Sequence, residues 1–484
     1  MKRIMIRGVA VLLLFTLIFL AAGCNKNGSE SKNGTNAGAP SKREVLRLPI
    51  ALEDSVNPYL AKSTINHSLT GLLFDSLYYV NGNYSTKPQI AGSETIEGLK
   101  ITVTLDSNKK FSKGSYITAQ DVEYSFSLAK QSEYYAPLVS NIKSAKASGS
   151  KIITFTLGDN DAYALASLSF PIISSGTDIK NKSYIPLSSG RYEIKDENGI
   201  KYLKPNAHCK DFSSKSKKIE LVNITDSESI ISSLVIGNID SMFNDLSAGH
   251  YERINAGTKD VVMNNFIYLG INRYKGSLSD KELRKAISTI INREKIVNEG
   301  FKGYAKETFT PFNPDWYAVA AIKQPGKDAN IADAVKYIKD NKPKAILRLV
   351  VNADNEFKKD AAEIIAKALR DNGIDVNVEA LAFKGYDSAV KAGRYDLFVG
   401  EMKLTDNMNI YPLLNNRDET YASFQQLHDK TKNLQEFIDD FYNELPFIPL
   451  CYRKGITAFS RDIAVEVESL QNDIYKNIGQ WYLK

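Results

Sequence analysis

Histidine and cysteine are scarce in this chain, with four and three in 484 residues. His67, His208, His250 and His428 follow no metal-ligand spacing, and His208 beside Cys209 offers too few donors for a metal centre. There is no G-x-S-x-G, no H-E-x-x-H and no histidine-centred triad motif, so a hydrolase would lack its machinery. No glycine-rich loop opens a helix as a phosphate site requires. No basic run interleaves with aromatics, and a formal charge of +6 is too mild to argue for nucleic acid. The long uncharged run at residues 8–23 is too short to span a membrane as a helix. Catalytic residues, a metal and a cofactor are therefore all expected to be absent.

What is present is ordinary globular material. With 43% hydrophobic and 24% charged residues, the chain has core enough for two or three domains. Its 26 tyrosines suit either scattered rings or a groove lined by amphipathic ones. Lys2, Arg3 and Arg7 precede the uncharged run, the layout of a secretory signal. That run ends Leu20-Ala21-Ala22-Gly23-Cys24, which resembles the lipobox of bacterial lipoproteins, with Ala21 in place of the commoner leucine. The resemblance implies cleavage before Cys24, a diacylglycerol on its thiol and an acylated amine. Two or three chains hold a membrane far more strongly than one. Residues 25–43 are Asn, Gly, Ser and Lys with almost nothing apolar, and read as a flexible tether. Cys209 and Cys451 either close one disulfide or serve as buried small hydrophobes.

Periodicity marks the folded part. Residues 45–51, 99–105, 151–157, 219–224, 266–271, 345–351 and 374–378 read as strands; Ile101, Val103 and Leu105 share one face. Residues 356–371 read as a helix with Phe357, Ala361, Ile364, Ile365, Ala368 and Leu369 on one side, stopped by Gly373. Thr118 and Asp121 have the spacing of a capping box, as do Ser279 and Glu282. A further helix is expected over residues 69–80.

Residues 266–301 carry the most specific wording: Leu269, Asn272, Leu278, Asp280, Arg284, Ala286, Ile287, Asn292, Arg293, Ile296 and Val297. With Phe111 to Ser125, Asn57-Pro58-Tyr59-Leu60 and residues 444–460, this resembles the family 5 extracellular solute-binding proteins of ABC transporters, the oligopeptide-binding type. The match runs from about residue 45 to the end, with Lys113 and Tyr116 as departures and residues 412–435 shortened. The resemblance implies an α/β, two-lobed periplasmic-binding-protein-like fold (type II, cluster C) with mixed sheets and a two-strand hinge. Lobe I would be 45–266 plus 453–484, with an extra subdomain at about 60–170, and lobe II 267–452. It implies a monomeric receptor that captures peptides and hands them to permease subunits driven by cytoplasmic ATPases. Asp406 falls at the acidic position that meets a peptide's α-ammonium, although the tryptophan usual before it is missing. By the same analogy Tyr452, Asn57 and Tyr59 are candidate ligand contacts, and Cys24 is the lipidation site. The same fold leaves open a sugar, a metal chelate or haem as ligand, and a sensor or adhesin in place of a transporter.

Overall fold

In the computed structural model, residues 45–225, 229–274 and 276–484 are described. The signal run, Cys24 and the whole tether lie outside them. Among the described residues no helix is long and apolar enough to cross a membrane.

The alternation at Ile101, Val103 and Leu105 buries one face of the strand Lys100–Leu105. It pairs with Ala91–Glu97 and Ile152–Leu157 in a four-stranded antiparallel sheet completed by Ile142–Ser148. Such a sheet can wet one face while the other builds core. The helix Ala119–Ala129 packs on it, started by the reciprocal capping box of Thr118 and Asp121. A second four-stranded sheet runs Leu46–Ile50, Ile219–Asn223, Ile200–Pro205, Tyr192–Glu197, its first pair parallel. Both sheets feed one core, which also takes in Tyr475 and Trp481 near the C-terminus.

The other core forms around a strand–helix–strand unit, Leu347–Asn352, Glu356–Asp371 and Val376–Leu381, whose strands are parallel. These strands belong to a mixed sheet of order Ser241–Asn244, Phe447–Phe459, Gly257–Ile271, Leu397–Lys403, Leu347–Asn352, Val376–Leu381, with Ala305–Glu307 also on Phe447–Phe459.

Two long antiparallel strands, Gly257–Ile271 and Phe447–Phe459, join the halves. Val261 and Met263 are buried in the first core, whereas Phe266, Ile267 and Leu269 are buried in the second. Between them the ladder slips at Val262 and Asn265, opposite Lys454 and Arg453. Two residues of one strand, Met263 and Asn264, thus have no counterpart in the other; extra residues bend and twist a strand locally, so the change of core and the bulge coincide. This is the two-strand hinge of a two-lobed fold.

Local readings were corrected in two places. Residues 69–80 are not one helix: it runs Thr64–Leu73, opened by the Ser63 side chain accepting from the Asn66 amide, and Phe74 leaves in extended conformation. Tyr78–Val80 then forms a strand with Thr86–Pro88, as its aromatic and β-branched residues prefer. The helix Lys281–Ile290 is capped by Asp280, whose carboxylate accepts from the Glu282 amide at 2.9 Å, while the Ser279 hydroxyl donates to the Gly276 carbonyl. Cys209 and Cys451 are both free thiols. Burial pushes the Cys209 thiol up to about 11 and that of Cys451 further still.

Candidate functional site

The bulge that bends the hinge also builds the site. It leaves Asn264 outside the ladder and fully buried. Its side-chain amide donates to the carbonyls of Leu404 (3.2 Å) and Thr405 (3.0 Å), and its own carbonyl accepts from the Leu404 amide (2.8 Å). Asn313 holds Asn264 from behind, donating to its side-chain oxygen at 3.2 Å and to the Met263 carbonyl at 3.1 Å. The chain leaving the strand Leu397–Lys403 is thereby turned, and residues 403–406 form one wall of a cavity of about 290 Å³.

The other walls come from segments far apart in the chain. The helix Thr64–Leu73 contributes His67, Thr70 and Gly71; residues 133–138 contribute Tyr134 and Tyr135; Ser169, Pro171, Gln471 and Asn472 are among the others. Gly71 is required there, because a Cβ would lie 2.7 Å from the Asn472 carbonyl oxygen. Tyr134 stacks on His67 with ring centres 4.2 Å apart, and Tyr135 meets the edge of Tyr59 at 5.5 Å.

Glu133, Lys403 and Asp406 bring charge to this space. Asp406 is buried, and one carboxylate oxygen accepts from the Asn472 amide (2.8 Å) and the Ser169 hydroxyl (3.2 Å). Burial raises its pKa, which these two hydrogen bonds and the more distant Lys403 only partly offset. Lys403 is accessible to solvent yet flanked by protein, as expected for a side chain lining a cleft. Burial opposes its charge, but Tyr134, Asp406 and Asp245 outweigh that and hold its pKa above that of an ordinary lysine. Its ammonium donates to the Tyr134 hydroxyl at 3.1 Å and stands 4.5 Å from that ring's centre. Burial, with Lys403 beside it, pushes His67 down to about 4, so that ring is uncharged at neutral pH.

Of the residues proposed from sequence, Asp406 lines the cavity. Tyr452, Asn57 and Tyr59 are not on its wall: all three are buried in supporting positions. The Tyr452 hydroxyl donates to the Pro311 carbonyl at 2.8 Å, the Asn57 side chain accepts from the Tyr59 amide at 3.0 Å, and the Tyr59 hydroxyl donates to the Pro171 carbonyl. Sequence reasoning missed Lys403, Tyr134, His67 and Asn472, which share no motif. Among the described residues no three His, Cys, Asp or Glu side chains gather in a way that could hold a metal ion.

Beneath the wall, Glu401 anchors the hinge. It accepts from Arg453 (2.8 and 2.9 Å) and Asn265 (3.0 Å) and pairs with Lys358 at 2.7 Å. Burial alone would raise its pKa, yet Arg453 and Lys358 pull it down to about 2.

A separate contact ties residues 161–162 to residue 428. The ring of His428, at the end of the helix Glu419–His428, lies with Nδ1 3.2 Å from Asp161 and 3.3 Å from the Ala162 amide, both side chains about 5% exposed or less. Asn407 donates to the other Asp161 oxygen at 2.7 Å. Removing a buried partner of this kind costs roughly 1–3 kcal/mol. His428→Ala is therefore expected to open the ligand-free molecule, enlarging its radius of gyration in small-angle scattering. An unchanged scattering curve would show that the contact does not hold the halves together.

A family model described as bacterial extracellular solute-binding proteins, family 5 Middle, matches residues 57–420, more than half of the chain. The oligopeptide-binding protein AppA of Bacillus subtilis (strain 168) is 22% identical over 546 residues, covering 100% of both chains. The solved structure of AppA from Bacillus subtilis in complex with a nonapeptide superposes with a TM-score of 0.56 at 18% identity, covering 91% of this chain and 97% of that one. A nickel ABC transporter structure from Bacillus halodurans gives 0.72 at 14% identity, covering 91% and 98%. At these identities the two structures bear on the fold alone.

Proposed function

The chain belongs to the bacterial extracellular solute-binding proteins of family 5, and from that premise we propose that it captures peptides outside the cytoplasm and delivers them to the permease of an ABC importer. It acts as a monomer anchored through acylated Cys24, with residues 25–43 as tether. Lobe I is 45–266 plus 453–484, with its subdomain at about 60–170, and lobe II is 267–452. The lobes shut on the guest by bending at the bulged hinge strands, and no bond in the guest is made or broken. Moving such an equilibrium from 1:99 to 99:1 takes about 5.5 kcal/mol of preference for the closed state. A peptide can provide it through its backbone groups and its charged ends.

The observation that most supports this function is Asp406, buried on the cavity wall with only neutral donors and, among the described residues, no cation within 4 Å. A carboxylate so placed suits a guest that brings its own ammonium. The test is a thermal-shift panel of peptides, sugars and metal chelates on the domain from residue 45 onward. Peptides at one hundred times their Kd should add about 2.7 kcal/mol of stability. A sugar or chelate that raises the melting temperature while no peptide does would overturn the peptide reading.

A further inference from the structure

We propose that the end of the sheet at which the chain enters the folded body is a membrane-facing surface, whose lysines and exposed tyrosines dock on anionic phospholipid headgroups. The inference goes beyond peptide capture and rests on the anchored reading above for what brings this face to a membrane.

The net charge is mild but unevenly spread. Residues 201–218 hold six lysines and one acid, Asp211. Lys201 and Lys218 pair with Asp196 and Glu197 at 2.8 Å. Lys204, Lys210, Lys215 and Lys217 are exposed and, among the described residues, have no carboxylate within 4 Å. Strand pairing decides where these charges sit. Leu46 pairs with Ile219 in parallel register, so the chain comes into the body alongside Lys217 and Lys218. Leu203 pairs with Ile219 from the other side, which puts Lys204 at the same end of the sheet.

Two other segments widen the patch. His208 packs against Gly114, where a Cβ would lie 3.2 Å from the imidazole, and so brings in the turn that carries exposed Lys113. In that turn the Lys110 ammonium stands 4.4 Å from the ring centre of Tyr116, which is 59% exposed. On another flank the Lys215 amide donates to the Gly479 carbonyl at 2.8 Å. The Lys215 ammonium stands 4.4 Å from the ring centre of Tyr482, which is 44% exposed. Such lysines beside open tyrosines suit a membrane interface, where rings settle at headgroup level and ammoniums meet phosphates. Each lysine near an anionic surface strengthens binding by roughly fivefold. The tether argues for lipid over an acidic protein as the occupant. About twenty residues separate Cys24 from Val45, a reach of roughly 70 Å at most. Acylated Cys24 would therefore keep this face near the bilayer, where even weak docking is populated.

The test is co-sedimentation of the mature chain from residue 25 onward, made without acyl chains, with two kinds of vesicle. One is phosphatidylcholine alone; the other is two parts phosphatidylcholine to one of phosphatidylglycerol. Binding to the anionic vesicles is expected to be at least tenfold the stronger, and to vanish in about 1 M salt, where the screening length falls to about 3 Å. Changing Lys204, Lys210, Lys215 and Lys217 together to Gln should remove it. Changing four exposed lysines elsewhere, Lys336, Lys339, Lys384 and Lys430, to Gln should leave it within twofold. No binding to anionic vesicles, equal binding to both kinds, or an equal loss in the two variants overturns the proposal. The vesicle result does not depend on Cys24, so its failure leaves the anchor standing. An unmodified Cys24 in the mass of membrane-extracted protein would remove the anchor and leave the measured docking.

Discussion

Asp406→Ala is expected to weaken capture of a cognate peptide by roughly 2–5 kcal/mol, the cost of stripping one partner from a desolvated charge pair. That is a loss of about thirtyfold to several thousandfold in Kd. The companion variant Asp406→Asn separates binding from folding. Burial raises the Asp406 pKa, so at neutral pH the empty protein carries a carboxylate its surroundings disfavour. For a carboxylate whose folded pKa is raised, stability is highest at low pH and declines as pH rises through that pKa. Asn keeps the size of the side chain and an oxygen for Ser169 and Asn472 while removing the charge. The unliganded Asn variant should therefore melt no lower than the parent at pH 7.5, and yet lose nearly as much peptide affinity as Asp406→Ala. A purely structural aspartate would give the reverse, with lower melting and intact binding. Calorimetric titration and thermal melting on the same preparations distinguish the two outcomes. Acidification should also weaken binding to the unaltered protein sooner than an ordinary aspartate would allow, because its carboxylate protonates at higher pH.

Glu401→Gln is expected to lower stability by roughly 3–5 kcal/mol at pH 7.5, because it leaves two enclosed cations without their counterion. Arg453 is 3% exposed and Lys358 15%, so water cannot readily replace what the carboxylate provides. The proton equilibrium points to a similar size. A fall from the ordinary 4.5 to about 2 corresponds to about 3 kcal/mol of preference for the ionised form. This folded-state pKa is depressed, so the contribution is complete above about 4.5 and is lost as pH falls towards 2. Parent and variant should thus differ most in melting temperature near neutrality and converge by about pH 2. A difference that stays constant across that range would mean that the substitution disturbs packing, not charge. Because Glu401 ties Arg453 of one long strand to Asn265 of the other, the variant should also change how the hinge bends.

How far the sequence reaches can be judged element by element. The alternation at residues 101–105, the Thr118–Asp121 box and the helix Glu356–Asp371 all depend on bonds or contacts within a few residues, and each formed as its spacing predicts. The readings that failed locally were competitions between near-equal partners. Ser279 and Asp280 both can cap, and 69–80 holds a helix former followed by a strand former. Asp406 was legible through the family resemblance, which puts it at the acidic position of the wording that begins at Gly393. Its neighbours were not, since the cavity joins residues 67, 134, 169, 403 and 472 from segments with no shared pattern.

By itself, then, the sequence determined the local elements, because short-range periodicity and capping are written in adjacent side chains, while its resemblance to the family supplied the position of one acidic residue. Only the tertiary structure decided that Tyr452, Asn57 and Tyr59 stand behind the wall, that Asn264 turns residues 403–406 into the cavity, and that Lys403 and Asp406 face it without ionic partners among the described residues. Whether a charge is paired depends on what lies within 4 Å in space, and distant segments meet there only after the hinge strands have crossed.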